Sequence, residues 1–307
     1  MTNLIFLMLC LLLGILLKRF KIVPVNANIT LNNLILYVCL PATSLVYGST
    51  LVLESKYLLA ILMPWLLYAG SFLFFRLLRN FTNIDRPTEG VLIMTAGIPS
   101  ISFVGFPIFQ LLYDEEGLQI GVLMSQAGSF LACSTVGVVT ASIYAAKNTS
   151  FTQIAKDVLT FPTFIAFSLA IAINILGFHF SEITIEVLKK ISSPFTFLAL
   201  VSVGLQIELD HKVLQKSNLK WGLLYKLILS PLVVFVLYYL VLGKTDKVAE
   251  ACVIGAAIGS MNMTAVLALR YNLNPTLAAQ MVGVGIPISL LGVGFWYWIL
   301  QISGYVQ

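Results

Sequence analysis

The stretch Pro99-Ser100-Ile101-Ser102-Phe103-Val104-Gly105-Phe106-Pro107 interrupts a long apolar run in the first half of the chain. Its prolines and its glycine prevent a continuous helix, because proline lacks the backbone donor and its ring clashes with the preceding turn. A second apolar run is interrupted at Gly259-Ser260-Met261-Asn262-Met263-Thr264. These two interruptions decide the fold, and the rest of the chain is interpreted around them.

The composition around the interruptions is that of a membrane protein. Of 307 residues, 59% are hydrophobic and 10% are charged, and the mean hydropathy is +0.96. Soluble domains carry about 25% charged residues. We therefore expect the lipid bilayer as the main partner. The net charge of +5 does not indicate nucleic-acid binding, because the basic residues lie in short loops between apolar runs.

Apolar runs of about 20 residues, the length that crosses a bilayer, recur along the whole chain. The sequence predicts an all-α membrane protein with ten transmembrane helices in one integrated domain. The first five-helix repeat covers 1–146, a short cytoplasmic linker covers 147–157, and the second repeat covers 158–307. After five membrane crossings the chain is on the opposite face of the bilayer. The second repeat therefore starts from that face and must be inverted. The predicted helices are 3–20, 31–50, 57–79, 88–112, 117–146, 158–178, 185–206, 219–242, 248–270 and 275–302.

The basic residues predict the orientation in the membrane. Twelve of the 18 Lys and Arg residues fall in loops after odd-numbered helices, and five fall in loops after even-numbered helices. Cytoplasmic loops carry the excess of Lys and Arg. We therefore expect a multi-pass protein of the plasma membrane with both termini outside the cell.

Interrupted helices at the fourth place of each half indicate a transport site at the bilayer midplane. The exposed N-termini of half-helices carry partial positive charge and suit an anion. Helix 2 is expected to line the other side, although its proline fits a structural kink equally well. The predicted substrate-binding residues are Ser100, Ser102, Gly105, Gly259, Ser260, Asn262, Asn33, Thr43 and Ser44, with Pro99, Pro107 and Pro41 as crossover or hinge residues.

Three ionisable residues are candidates for coupling or for charge pairing. Glu89 and Glu250 each begin a similar segment that leads into an interruption, and we interpret both as acids that suit a helix start, with proton coupling as the alternative. Lys226 lies within a predicted span, where charges are functional candidates. It is about 8 Å from Trp221 along the helix, so we favour snorkelling or local pairing over a substrate role.

Signatures of catalysis are missing from the sequence. There is no phosphate-binding loop, no H-E-x-x-H and no G-x-S-x-G. We predict that the protein is not an enzyme and has no cofactor or metal, with Na⁺ or H⁺ as a possible coupling ion.

Five short segments in order along the chain match one known family. They are Leu31–Pro41, Phe103–Pro107, Leu198–Leu205, Lys226 with Pro231, and Val266–Pro275. In these segments the chain resembles the auxin efflux carrier family, which includes PIN-like transporters and bacterial malate/malonate permease-like proteins. The resemblance implies a bile-acid-symporter-like fold in which broken helices 4 and 9 cross, a homodimer, an elevator-type mechanism and a carboxylate substrate.

The chain departs from the family pattern at the interruptions. Ser100 replaces the usual Asn, Ser102 replaces a Gly, and Gly259 replaces the helix-9 proline. We therefore predict a secondary transporter of a small organic anion and do not carry auxin over as the substrate. The alternatives are a sodium- or proton-coupled organic-acid symporter, and a membrane sensor that binds a solute without transporting it.

Overall fold

We describe the protein from a computed structural model, which covers residues 2–24, 26–51, 54–145, 152, 156, 159–206 and 217–303. Over these residues the chain is helical and holds no strand; one isolated β-bridge joins Pro99 and Ser260. The helices, labelled in chain order, are α1 (Thr2–Arg19), α2 (Ala27–Ser49), α3 (Leu58–Leu78), α4a (Arg86–Gly97), α4b (101–113), α5 (115–144), α6 (Pro162–Ile175), α7 (Glu182–Ser192 followed by Phe195–Gln206), α8 (Asn218–Val241), α9a (Lys247–Ala257), α9b (Asn262–Arg270) and α10 (Pro275–Gly283 followed by Gly285–Ile302).

Helix is present in each of the ten predicted segments, and both predicted interruptions are breaks. The prediction of an all-helical membrane protein is confirmed. That all ten segments span the bilayer, and that the halves form an inverted repeat, stay predictions. The predicted linker 147–157 lies outside the described residues, apart from 152 and 156. The helical stretches that are long and apolar enough to cross a membrane are Ala27–Ser49, Ser55–Leu78, Ile101–Tyr144, Glu182–Leu205, Asn218–Val241 and Gly285–Ile302.

The stretch Ile101–Tyr144 has 44 residues. At 1.5 Å per residue a straight helix of this length would be about twice as long as the hydrocarbon core is thick. The chain instead turns at Asp114, whose φ of 53° and ψ of −132° are not helical. Gly117 allows the turn to close, because a Cβ there would lie 2.2 Å from the carbonyl oxygen of Phe109. A tight turn therefore separates α4b from α5, in the gap between the predicted helices 88–112 and 117–146.

Three π-helical turns have a common cause in the sequence. The last residue of each turn lies two positions before a proline. The residue just before that proline donates its N–H to the carbonyl five residues earlier in the chain. This wider turn relieves the clash between the proline ring and the carbonyl four residues before it. The three turns are Ile35–Cys39 before Pro41, Ile101–Gly105 before Pro107, and Tyr225–Leu229 before Pro231.

Helices α1, α2, α6 and α7 form one packed group, which we call the first helix group. Gly14 of α1 and Gly204 of α7 bring their backbones together, since a Cβ on Gly14 would lie 2.8 Å from the Cα of Gly204. Asn174 of α6 donates from Nδ2 to the carbonyl of Ser49 at 2.8 Å, which joins α6 to the end of α2.

The remaining helices, α3 to α5 and α8 to α10, form the second helix group. Its members are joined by buried or part-buried hydrogen bonds: Ser71 Oγ donates to the carbonyl of Ile93 at 2.9 Å, and Tyr225 OH donates to the carbonyl of Leu67 at 2.8 Å. One of the two large clusters of buried apolar side chains, which includes Phe75 and Met281, lies entirely within this group. The other large cluster contains buried residues of both groups, among them Phe195 of α7 and Phe106 of α4b, so the two groups share an apolar core.

Candidate functional site at the crossing of two broken helices

The two breaks meet and satisfy each other's backbone. Ser100 donates its N–H to the carbonyl of Gly259 at 2.9 Å, and Met261 donates its N–H to the carbonyl of Ile98 at 3.0 Å. Unwound backbone is tolerated inside a bilayer only where it is buried in protein or lines a cavity. These two bonds therefore explain how broken helices persist in the middle of an apolar fold.

A cavity of about 290 Å³ opens beside this crossing, between the two helix groups. We call it the crossing cavity. The first group contributes residues of α2 and α6, and the second contributes the starts of α4b and α9b and the middle of α5. Its lining residues are Ile29, Asn32, Asn33, Leu36, Leu40, Ser102, Phe103, Gln126, Phe130, Phe161, Thr163, Met261, Asn262, Met263 and Val266.

Two helix N-termini converge on the crossing cavity. Ser102 and Phe103 belong to the first turn of α4b, and Met261 to Met263 form the start of α9b. Each helix N-terminus carries roughly half a positive charge. No ionised side chain stands among the lining residues to oppose it. The arrangement therefore favours a solute with negative charge.

The polar groups in the crossing cavity keep hydrogen-bonding capacity. Ser102 Oγ and Ser125 Oγ lie 2.6 Å apart, and Gln126 Nε2 donates to Ser125 Oγ at 3.4 Å. The side-chain oxygens of Gln126 and Asn262 are buried and have no hydrogen-bond partner among the described residues. Because a buried polar atom without a partner is destabilising, these amides are suited to contact a solute.

The structure places some predicted site residues in the crossing cavity and others outside it. Asn33, Ser102 and Asn262 line it. Thr43 and Ser44 lie further along α2 and are not among its lining residues; Thr43 Oγ1 donates to the carbonyl of Cys39 at 2.8 Å. The sequence interpretation missed Asn32, Gln126 and Thr163, although their polarity within apolar segments was the available signal.

The remaining residues of the two breaks build the crossing and do not line the crossing cavity. The hydroxyls of Ser100 and Ser260 are buried without a hydrogen-bond partner among the described residues. Gly259 allows the break to approach α10, since a Cβ there would lie 2.8 Å from the Cα of Ile286. A Cβ on Gly105 would lie 3.2 Å from the end of the Ile258 side chain. Pro99 forms the β-bridge with Ser260.

Glu89 is fully buried at the start of α4a and joins three helices. Its carboxylate lies 3.7 Å from the guanidinium of Arg76 on α3 and 2.8 Å from that of Arg79, the residue that follows α3. Tyr144 at the end of α5 donates its hydroxyl to the same carboxylate at 2.9 Å. At 1.5 Å per residue, Glu89 is about 15 Å from the break along its helix.

Glu250 occupies the matching place in α9a, but its surroundings differ. It is largely buried and lines a separate cavity of about 380 Å³ with Lys56, Glu116, Asp246 and Lys247. Asp246 caps this helix by accepting the N–H of Ala249 at 2.9 Å. Neither Glu89 nor Glu250 therefore reaches the crossing cavity.

The surroundings of Lys226 differ from those expected from the sequence. Its side chain is 0% exposed, and its Nζ has no hydrogen-bond partner among the described residues. The expectation that it snorkels to the surface or pairs locally is therefore wrong over the described part of the chain. The π-turn that precedes Pro231 holds it in the interior of the second helix group. It is also absent from the lining of the crossing cavity.

A second cavity, of about 360 Å³, adjoins the first, and we call it the vestibule. The two cavities share Phe130, Phe161 and Met263. The rings of Phe130 and Phe161 stack with centroids 4.5 Å apart and form part of the partition. The exposed Arg270, at the end of α9b, lines the vestibule together with Thr160. The vestibule thus leads from the crossing towards the end that holds the loops after α5 and α9b.

Comparison with known proteins agrees with this architecture. The sequence model of a family described as membrane transport protein matches residues 1–297. An uncharacterized transporter of Methanocaldococcus jannaschii is 27% identical over 300 residues, which cover 94% of this chain and 95% of that protein. An uncharacterized transporter of Methanothermobacter thermautotrophicus is 24% identical over 292 residues, covering 93% of each. Together with the crossing of two broken helices, the match over nearly the whole chain shows that this protein belongs to the membrane transport protein family of the auxin efflux carriers.

Proposed function

We propose that this protein is a secondary transporter of a small organic anion, which binds in the crossing cavity. The observation that carries the proposal is the convergence of two helix N-termini on one cavity whose described lining residues include no acid. Half-helix N-termini that point at anionic substrate groups are a recurring device in transporters with broken helices. Asn262 and Ser102 would contact the carboxylate, and Asn33 would lie across the cavity from them.

The lining of the crossing cavity also bears on the kind of anion. Asn32, Asn33, Ser102, Gln126, Thr163 and Asn262 are polar, and the other lining residues are apolar. A second carboxylate would have to be desolvated against those apolar side chains without a cationic partner in the lining, which is unfavourable. We therefore favour a single carboxylate on an apolar body over a dicarboxylate.

The division into two helix groups supports an elevator-type movement. The crossing cavity lies between the groups, while buried hydrogen bonds join helices within each of them. The hydrogen bond and the ion pair between the groups are exposed, since Thr196 donates to Gln110 at 2.8 Å and Lys189 pairs with Glu115 at 2.8 Å. The buried contact between the groups is apolar, as in the packing of Phe106 against Phe195, and has no directional bonds to break when the groups slide. In this proposal the second group carries the anion across the bilayer past the first. The ten spans, the inverted repeat and the homodimer belong to the same proposal.

Among the described residues, no carboxylate lines the crossing cavity to hold a coupling cation, so we propose uniport driven by the electrochemical gradient. An inside-negative potential would favour export of a monovalent anion by about 2.3 kcal/mol per 100 mV.

The test is uptake of labelled indole acetate, malate and malonate by proteoliposomes, with imposed voltage, sodium and proton gradients applied one at a time. We expect saturable flux of the monocarboxylate that responds to voltage alone. Dependence on sodium or protons would show a symporter, and binding without flux would show a sensor. An absence of both flux and binding for all three anions would contradict the proposal.

A further inference from the structure

A buried lysine remains unused by the proposed function. Lys226 is fully buried, its Nζ makes no hydrogen bond within the described part of the chain, and no ion pair joins it to a described acid. Burying an ionisable group without a partner is strongly destabilising, and such groups inside membrane spans are functional candidates by default. Ser230, one turn further along α8, is also buried, and its hydroxyl has no hydrogen-bond partner there either.

Contacts of neighbouring residues place Lys226 behind the crossing. The π-turn that contains it packs against both α4a and α9a. The adjacent Tyr225 donates its hydroxyl to the carbonyl of Leu67 on α3. The residues that follow on α3 pack against Gly97, since a Cβ there would lie 3.0 Å from the Cα of Tyr68. Lys226 is therefore level with the end of α4a, and it is not among the residues that line the crossing cavity.

The helix ends at this side of the crossing are negative. α4a ends at Gly97 and α9a ends at Ala257, and each C-terminus carries roughly half a negative charge. Together the two ends amount to about one negative charge, which the single charge of an ammonium group would balance. In other transporters with broken helices, half-helix C-termini and unwound carbonyls coordinate Na⁺ or H⁺. Here the helix that packs against both α4a and α9a has a buried lysine, whose Nζ makes no hydrogen bond to a described carbonyl.

We infer that Lys226 is a tethered cation that takes the place of a coupling sodium ion at the back of the crossing. It balances the C-termini of α4a and α9a, so that the opposite N-termini remain available to an anion without a bound metal ion. Transport is then independent of sodium because the cation site is permanently filled by the protein. The consequence for transport rests on the proposed function, whereas the cation site itself does not.

The experiment compares wild type with Lys226→Ala, which removes the charge and opens space beside Ser230. Lys226→Met fills the space without charge. Lys220→Ala, an exposed lysine on the same helix, is the matched control. The thermal unfolding midpoint of each purified protein is measured in choline chloride and in sodium chloride at equal ionic strength, since a ligand that binds only the folded state raises the midpoint. Anion uptake is measured with and without sodium.

We expect sodium to raise the midpoint of Lys226→Ala and to leave those of wild type, Lys220→Ala and Lys226→Met unchanged. Uptake should fall on the order of tenfold or more in Lys226→Met and should recover with sodium in Lys226→Ala. Saturable binding of radioactive sodium to wild type would overturn the inference, and that measurement needs no variant to fold. Wild-type uptake by Lys226→Met in choline would overturn it as well. If wild type transports no anion, the proposed function fails, and the sodium response of the midpoint still decides on the cation site.

Discussion

Asn262 combines three properties of a substrate-binding residue. It begins α9b, it lines the crossing cavity, and its buried side-chain oxygen has no hydrogen-bond partner among the described residues. We predict that Asn262→Leu lowers anion uptake by about 10- to 100-fold, because losing hydrogen bonds to a charged group amounts to about 1.5–3 kcal/mol.

Uptake kinetics in proteoliposomes check this prediction, with Asn80→Leu as the control for the same change at an exposed position beyond α3. If Asn262→Leu transports with wild-type kinetics, the anion does not bind at the start of α9b.

Gly259 contributes to packing and not to chemistry. A Cβ at this position would lie 2.8 Å from the Cα of Ile286 and 3.0 Å from its backbone nitrogen, and neither backbone atom can move aside easily. We predict that Gly259→Ala lowers the free energy of unfolding by about 1–3 kcal/mol through overpacking. The unfolding midpoint in detergent measures this effect.

Gly294 in α10 offers the matched control, since nothing lies within 4 Å of a Cβ built there. Alanine is preferred over glycine in a helix interior by roughly 0.5–1 kcal/mol, so Gly294→Ala should be neutral or stabilising. Equal midpoints for the two variants would show that the break can move away from α10.

At the scale of the element, α4a is fixed at its start by Glu89, which joins α3 and α5 through Arg79 and Tyr144. Removing one partner of a fully buried pair destabilises by about 3–5 kcal/mol. Because the side chain of Arg79 is 37% exposed, we expect a smaller loss for Glu89→Ala, about 2 kcal/mol.

The unfolding midpoint again checks the prediction for Glu89. Glu186→Ala removes an exposed partner of Lys190 one helix turn away and should lower the stability by about 0.5 kcal/mol or less. If both variants lose the same stability, the three-helix contact at Glu89 is not a structural anchor.

Local chemistry made the elements predictable from the sequence, but not their contacts. Pro99, Gly105 and Pro107 forbid a continuous helix wherever they are placed, so the first break follows from the residues alone. The hydrogen bonds of the break to Gly259 and Met261 join residues far apart in the chain, and no local pattern specifies such partners. The candidate site shows the same limit, since Thr43 lies on the expected helix but beyond the crossing cavity.

Lys226 shows this limit most clearly. Its distance from Trp221 along the helix suggested that it could reach the surface, but the helices that pack around α8 enclose the side chain completely. Burial depends on the tertiary arrangement, which the position of a residue in its own helix does not determine.

At the scale of the whole molecule, the two cavities form a path from the crossing to one end of the protein. The crossing cavity leads through Phe130, Phe161 and Met263 into the vestibule, and the vestibule opens beside Thr160 and Arg270. The excess of Lys and Arg in the loops after odd-numbered helices predicts that this end faces the cytoplasm. We therefore predict that the conformation described is the one that exchanges the proposed anion with the cytoplasm.

Cysteine accessibility tests this direction in intact membranes. Thr160 is exposed in the vestibule, and the four native cysteines are buried; because Cys133 also lines the vestibule, wild type measures the background labelling. We predict that a membrane-impermeant thiol reagent modifies Thr160→Cys in inside-out vesicles but not in right-side-out vesicles. The modification should also slow uptake, because it obstructs the path to the crossing cavity.

Lys190→Cys, at the end of the first part of α7, should label only from the other face. If both variants label from the opposite faces, the orientation in the membrane is the reverse of the predicted one. If both label from the same face, the ten-helix topology is ruled out.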